Sequence, residues 1–144
     1  MIDRISHIGV VVNDIDQALA TWQDKLGFKK FAEQRFEPEG IRSVFLSVSG
    51  EPGEMTIELM EPLDKSDMNN AVARRLAKKG EGFFHLAVVT KDVAASGKEL
   101  GHKGFSIIER PVVGNARQGR WLTHPKDANG VMIEGIEEWS ETGL

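Results

Sequence analysis

His7-Ile8-Gly9-Val10-Val11-Val12-Asn13-Asp14-Ile15 can be laid over His85-Leu86-Ala87-Val88-Val89-Thr90-Lys91-Asp92-Val93, 78 residues further along a chain of 144. Each stretch opens on a histidine inside an apolar, strand-like run. Each then reaches an aspartate followed by a β-branched apolar residue. The correspondence continues outward. Gly27-Phe28 matches Gly104-Phe105 at a spacing of 77, and Met55-Thr56-Ile57-Glu58 matches Val131-Met132-Ile133-Glu134 at 76. The slow drift in spacing fits small insertions and deletions inside a duplicated unit.

The repeat dictates a coarse structure. Residues 4–12 are β-branched and apolar and predict a buried strand. Asp14 can cap the following helix, where Ile15, Ala18, Leu19, Trp22 and Leu26 recur at helical spacing before Gly27 closes the end. Strands are predicted over 28–36, 41–48 and 54–60, broken by Pro38-Glu39-Gly40 and Gly50-Glu51-Pro52-Gly53. The second half repeats this order: a strand over 83–90, a weaker helix from Asp92 to Lys103, and strands near 105–110, 118–123 and 130–137. Between the halves, Met68, Ala71, Val72 and Leu76 mark one face of a connecting helix over Asp67 to Lys79, ended by Gly80. Its other face carries Arg74, Arg75, Lys78 and Lys79, which read as solvated.

Composition bounds the function. Apolar residues make up 40% of the chain, enough for a real core, and the net charge of -4 disfavours nucleic acid and anionic membranes as partners. The absence of cysteine excludes disulfides, thiolate metal sites and cysteine nucleophiles. No apolar stretch approaches the roughly 20 residues that span a bilayer. The N-terminal MIDRISHIG lacks the pattern of a signal peptide, so a cytoplasmic location is expected. Gly114-Asn115-Ala116-Arg117-Gln118-Gly119 has glycines but not the spacing of a phosphate-binding loop.

Each half contributes one histidine in its first strand and one glutamate in its last: His7 and Glu58, His85 and Glu134. A lone strand histidine is more often a hydrogen-bonded core residue, and a lone strand glutamate more often faces solvent. The case for a site rests on their paired recurrence. Strand alternation puts each carboxylate on the opposite side from its apolar neighbours. An ionised carboxylate in a covered sheet needs a countercharge, which a cation would supply. Two neutral imidazoles and two carboxylates suit a divalent Mn, Fe, Co, Ni or Zn better than Ca or Mg. Four protein ligands around a six-coordinate ion leave positions open for substrate. His102, at a helix end, and His124, in the turn Thr123-His124-Pro125-Lys126-Asp127, have no partner in the repeat and are expected outside the site.

These residues resemble the vicinal-oxygen-chelate superfamily, which includes glyoxalase I, extradiol dioxygenases, antibiotic-resistance binders and methylmalonyl-CoA epimerases. The resemblance runs from Ile5 to Glu138, and the epimerase pattern is the most similar. It is carried by Ile57-Glu58-Leu59-Met60-Glu61-Pro62-Leu63, by Gly80-Glu81-Gly82-Phe83-Phe84-His85-Leu86-Ala87, and above all by His124-Pro125-Lys126-Asp127-Ala128-Asn129-Gly130-Val131-Met132-Ile133-Glu134. The resemblance implies an α+β fold of two tandem βαβββ modules, curled mixed sheets around a metal cleft. It implies one domain over 1–144, with module 1 over 1–64, a connecting helix over 65–80 and module 2 over 81–140.

It also implies a divalent metal held by His7, Glu58, His85 and Glu134, and Glu134 as the catalytic base. The reaction implied is α-proton removal from a methylmalonyl-CoA-like acyl thioester through a metal-stabilised enolate. Its alternatives within the superfamily are a glyoxalase I-type lactoylglutathione lyase and a non-catalytic small-molecule binding or resistance protein. An extradiol dioxygenase fits less well, because that chemistry uses three protein ligands. A homodimer is the superfamily's usual state. The chain departs from the pattern in places. Phe84 and Leu86 flank His85 where a second histidine is often found. Ser43 stands near where some epimerases carry a second catalytic carboxylate, which counts against a two-base mechanism. Gly135 stands where a larger apolar residue is common, and Gly119-Arg120-Trp121 could reshape the pocket unless Trp121 is ordinary core.

Overall fold

The computed structural model describes residues 1–110 and 119–138. Among these lie eight strands and three α-helices: β1 (Ile2–Val11), α1 (Ile15–Leu19), β2 (Lys29–Phe36), β3 (Ile41–Ser47), β4 (Thr56–Pro62), α2 (Ala71–Lys79), β5 (Gly82–Thr90), α3 (Val93–His102), β6 (Ile107–Arg110), β7 (Arg120–Thr123) and β8 (Met132–Ile136). The strands form one mixed sheet in the order β2-β3-β4-β1-β5-β8-β7-β6. The fold is α+β, as the resemblance implies. No helix among the described residues is long and apolar enough to cross a membrane.

The chain divides into two compact units, Met1–His7 with His85–Leu144, and Ile8–Phe84. In the Ile8–Phe84 unit, β2, β3 and β4 run antiparallel, with Phe45 opposite Glu58. Leu59 and Ile57 point to one side of β4, where they pack with Val12, Ile15, Val44, Leu46 and the helix residues Ala18, Leu19 and Trp22. Met60 points to the other side and joins Val11, Phe36, Ile41 and Val72. Alternation therefore turns Glu58 away from the α1 layer.

Asp14 caps α1 by accepting from the Gln17 N–H, as expected. The helix then widens into a π-helical segment, Ala20–Lys25, before Gly27 turns at φ +85°. The connecting helix starts later than its sequence pattern predicts. Asn70 is its cap, accepting from the N–H groups of Val72 and Ala73. Met68 therefore precedes the helix and is exposed.

In the other unit, β8 lies parallel to β5, pairing Ala87 with Glu134, and antiparallel to β7, pairing Leu122 with Glu134. Helix α3, capped by Asp92, covers one face of these strands. Val88, Leu100 and Trp121 form that core, joined by Val93, Phe105, Ile107 and Ile133. Trp121 is thus a core residue. Its indole N–H donates to Ser96 Oγ, and its ring fills the space beside Gly135. A Cβ at Gly135 would lie 2.0 Å from Trp121 Cε2, which explains the glycine at this strand position.

Candidate metal centre

Glu134 follows Ile133 and precedes Gly135, both of which face the α3 core. The strand period of two therefore sends Glu134 to the opposite face. His85 takes the same face from β5, because its neighbour Val88 packs under α3 and Ala87 pairs with Glu134. His7 joins them from the end of the Met1–His7 segment. All are buried, Glu134 to 2% exposure.

Their donor atoms converge. His7 Nε2 lies 3.2 Å from His85 Nε2. Glu134 Oε1 lies 3.5 Å from His7 Nε2 and 3.9 Å from His85 Nε2. One ligand atom from each residue falls within 4.8 Å of the others. Nitrogen and oxygen donors about 2.1 Å from a shared ion are separated by about 3.0 Å at octahedral and about 3.4 Å at tetrahedral angles. The observed spacings fit a divalent cation after shifts of a few tenths of an ångström. The donor set suits a borderline transition metal.

Neighbouring polar groups contact two of these side chains. His7 Nδ1 lies 3.0 Å from Ser6 Oγ. Were Nε2 to serve as a ligand, Nδ1 would carry the proton and donate to that hydroxyl. Arg120 Nε lies 3.0 Å from Glu134 Oε2 in an ion pair whose side chains are 8% and 3% exposed. Ser6 does not emerge from the sequence as a site residue, and Arg120 enters only within the Gly119-Arg120-Trp121 stretch that could reshape the pocket. Arg120 pairs only through the β7–β8 register, which a linear reading does not supply.

Three of the four expected ligands are thus gathered. Glu58 belongs to the Ile8–Phe84 unit, on β4, where it is 1% exposed and accepts from Ser43 Oγ at 2.7 Å. The Ser43 hydroxyl, which stands in place of a second carboxylate, therefore serves Glu58. His102 is exposed at the end of α3, and His124 caps a short turn by accepting from the Lys126 N–H. Both stay outside the cluster, as expected. The glycine-containing segment 114–118 lies outside the described residues.

Residues 6–122 match the sequence profile of the Glyoxalase/Bleomycin resistance protein/Dioxygenase superfamily. The ethylmalonyl-CoA/methylmalonyl-CoA epimerase of Cereibacter sphaeroides is 27% identical over 137 residues, covering 93% of this chain and 97% of that one. The crystal structure of methylmalonyl-CoA epimerase from Mycobacterium tuberculosis superposes with a TM-score of 0.81 at 31% identity, covering 97% of this chain and 91% of that one. A variant of the Streptomyces coelicolor methylmalonyl-CoA epimerase, in complex with 2-nitronate-propionyl-CoA, gives 0.83 at 30% identity, covering 97% and 100%.

Proposed function

The chain belongs to the glyoxalase/bleomycin resistance protein/dioxygenase superfamily, and from that premise we propose that it epimerises the α-carbon of a methylmalonyl-CoA-like acyl thioester. One observation carries the reading: His7 Nε2, His85 Nε2 and Glu134 Oε1 converge, buried, in a chain whose relatives are methylmalonyl-CoA epimerases.

Removing a proton next to a thioester carbonyl leaves an enolate, and its charge sets the barrier. A divalent cation bound at this cluster would supply the countercharge for the enolate. His7 and His85 would hold it through Nε2, with the His7 ring steadied by Ser6. Glu134 would help hold it through Oε1 and is also the proposed base: Oε1 would leave the cation to take the α-proton, while Oε2 stays with Arg120. Solvent would protonate the opposite face and so invert the centre, and Glu134 would return its proton to solvent. Glu58 is proposed as the fourth ligand, on its matching place in the repeat and its burial. The mixed nitrogen and oxygen donors favour Mn, Fe, Co, Ni or Zn. The two repeated modules within a single domain and a homodimer complete the proposal, on the resemblance to the superfamily; a cytoplasmic location is proposed on the bacterial epimerase relative and on the lack, among the described residues, of a helix able to cross a membrane. Light scattering on the eluting protein tests the dimer.

Metal-loaded protein is incubated with one epimer of methylmalonyl-CoA in deuterated water. Deuterium uptake at the α-carbon with loss of stereochemistry is expected. In Glu134→Gln the uptake should fall by about 100-fold or more. Absence of uptake in metal-loaded wild-type protein would contradict the substrate. Methylglyoxal with glutathione would then be the assay to run.

A further inference from the structure

We propose that Arg120 is a positioning residue that reserves one oxygen of Glu134, so that Oε1 alone is presented to a cation at the cluster. The proposal rests on the reading that His7, His85 and Glu134 hold such a cation. Strand register sets up the contact. Leu122 pairs with Glu134, so Arg120, two residues earlier on β7, shares the face of Glu134, while Trp121 points into the α3 core. The two oxygens of the carboxylate face different neighbours. Oε2 is 3.0 Å from Arg120 Nε, whereas Oε1 is 3.5 Å from His7 Nε2 and 3.9 Å from His85 Nε2.

A carboxylate can bind a metal through one oxygen or both. A buried guanidinium on Oε2 favours the first mode by holding that oxygen in a charge-assisted contact. The consequence is chemical. Each position that Glu134 does not occupy stays open for water or substrate. Arg120 would therefore keep a coordination position free for the reaction. Such supporting partners typically change metal affinity or activity by about 10–100-fold when removed.

The test uses the full chain loaded with Mn2+ and counts inner-sphere waters by water-proton relaxation. In Arg120→Met, Oε2 is released and joins the ion, so the count should fall by about one relative to wild type. Arg120→Lys keeps a cation in place and should retain the wild-type count. Kinetics on the same samples should show kcat falling about tenfold or more in Arg120→Met, with a smaller change in KM. Circular dichroism checks the fold of each variant. If Arg120→Met does not fold, Arg120→Gln replaces it as the neutral variant. A folded neutral variant with the wild-type water count would overturn the proposal, as would an Arg120→Lys variant altered as much as the neutral one. Failure of the wild-type protein to bind Mn2+ would instead remove the underlying metal reading.

Discussion

Glu58 and Glu134 occupy matching places in the repeat, yet different polar neighbours meet them. Glu58 accepts from the Ser43 hydroxyl, and Glu134 lies against the Arg120 guanidinium. Ser43→Ala removes a donor from a buried carboxylate, which costs about 1–3 kcal/mol. Urea unfolding of the metal-free protein should show a lower midpoint with an unchanged slope; an unchanged midpoint would mean that the hydroxyl carries no stabilising contact. Gly135 gives a second residue-scale prediction. Alanine there meets the Trp121 ring at 2.0 Å, so Gly135→Ala should destabilise by about 1–3 kcal/mol or more, and pairing it with Trp121→Leu should recover part of the loss. Thermal unfolding of the single and double variants measures this. The sequence made the histidines and glutamates legible, because strand alternation and recurrence both mark them. Ser6 stayed hidden, and Arg120 showed only within a stretch that could reshape the pocket. A serine beside a histidine and an arginine opening a strand carry no periodic signal.

At the scale of elements, the repeat located most strands and helices to within about two residues, close to the limit set by fraying ends. The connecting helix shows why one boundary moved. Asn70 both caps α2 and donates through Nδ2 to the carbonyls of Glu39 and Gly40, at 3.1 and 2.9 Å. That tie to a distant turn reinforces the helix start, which Asn70 marks locally as a cap and which the broader apolar pattern from Met68 obscured. Asn70→Ala should cost about 1–2 kcal/mol from the cap alone, read as a lower thermal midpoint. The β3–β4 turn offers a pH prediction. Glu54 accepts from the backbone N–H and hydroxyl of Ser49 at 2.6 and 2.7 Å, and these hydrogen bonds hold its carboxyl below its ordinary value of 4.5. A depressed carboxyl contributes stability above its unfolded value and loses it as pH falls through the folded one. Amide hydrogen exchange at Ser49, corrected for intrinsic pH dependence, should therefore lose protection only below the ordinary carboxylate range. Protection lost nearer neutral pH would contradict this.

For the molecule as a whole, a duplicated strand-helix-strand order was readable from hydrophobic period and turn residues. Its mixed sheet follows from the parallel pairing of β5 with β8 among antiparallel neighbours. Strand pairing is a long-range property, so the sequence showed which strands carry ligands without showing which side chains meet across them. The division of the chain after His7 illustrates this: β1 runs through both compact units, and the first histidine sits with the second half of the chain. The superfamily match and the three gathered donors lead to one central claim, that a divalent cation at His7, His85 and Glu134 drives α-proton exchange of an acyl thioester. The most direct measurement titrates Co2+ into chelator-stripped protein with methylmalonyl-CoA in deuterated water and follows deuterium uptake by NMR. The account predicts uptake that rises with occupancy, saturates at about one ion per chain, and is absent in His85→Ala. Full uptake in stripped protein, or none in protein carrying its ion, would contradict it.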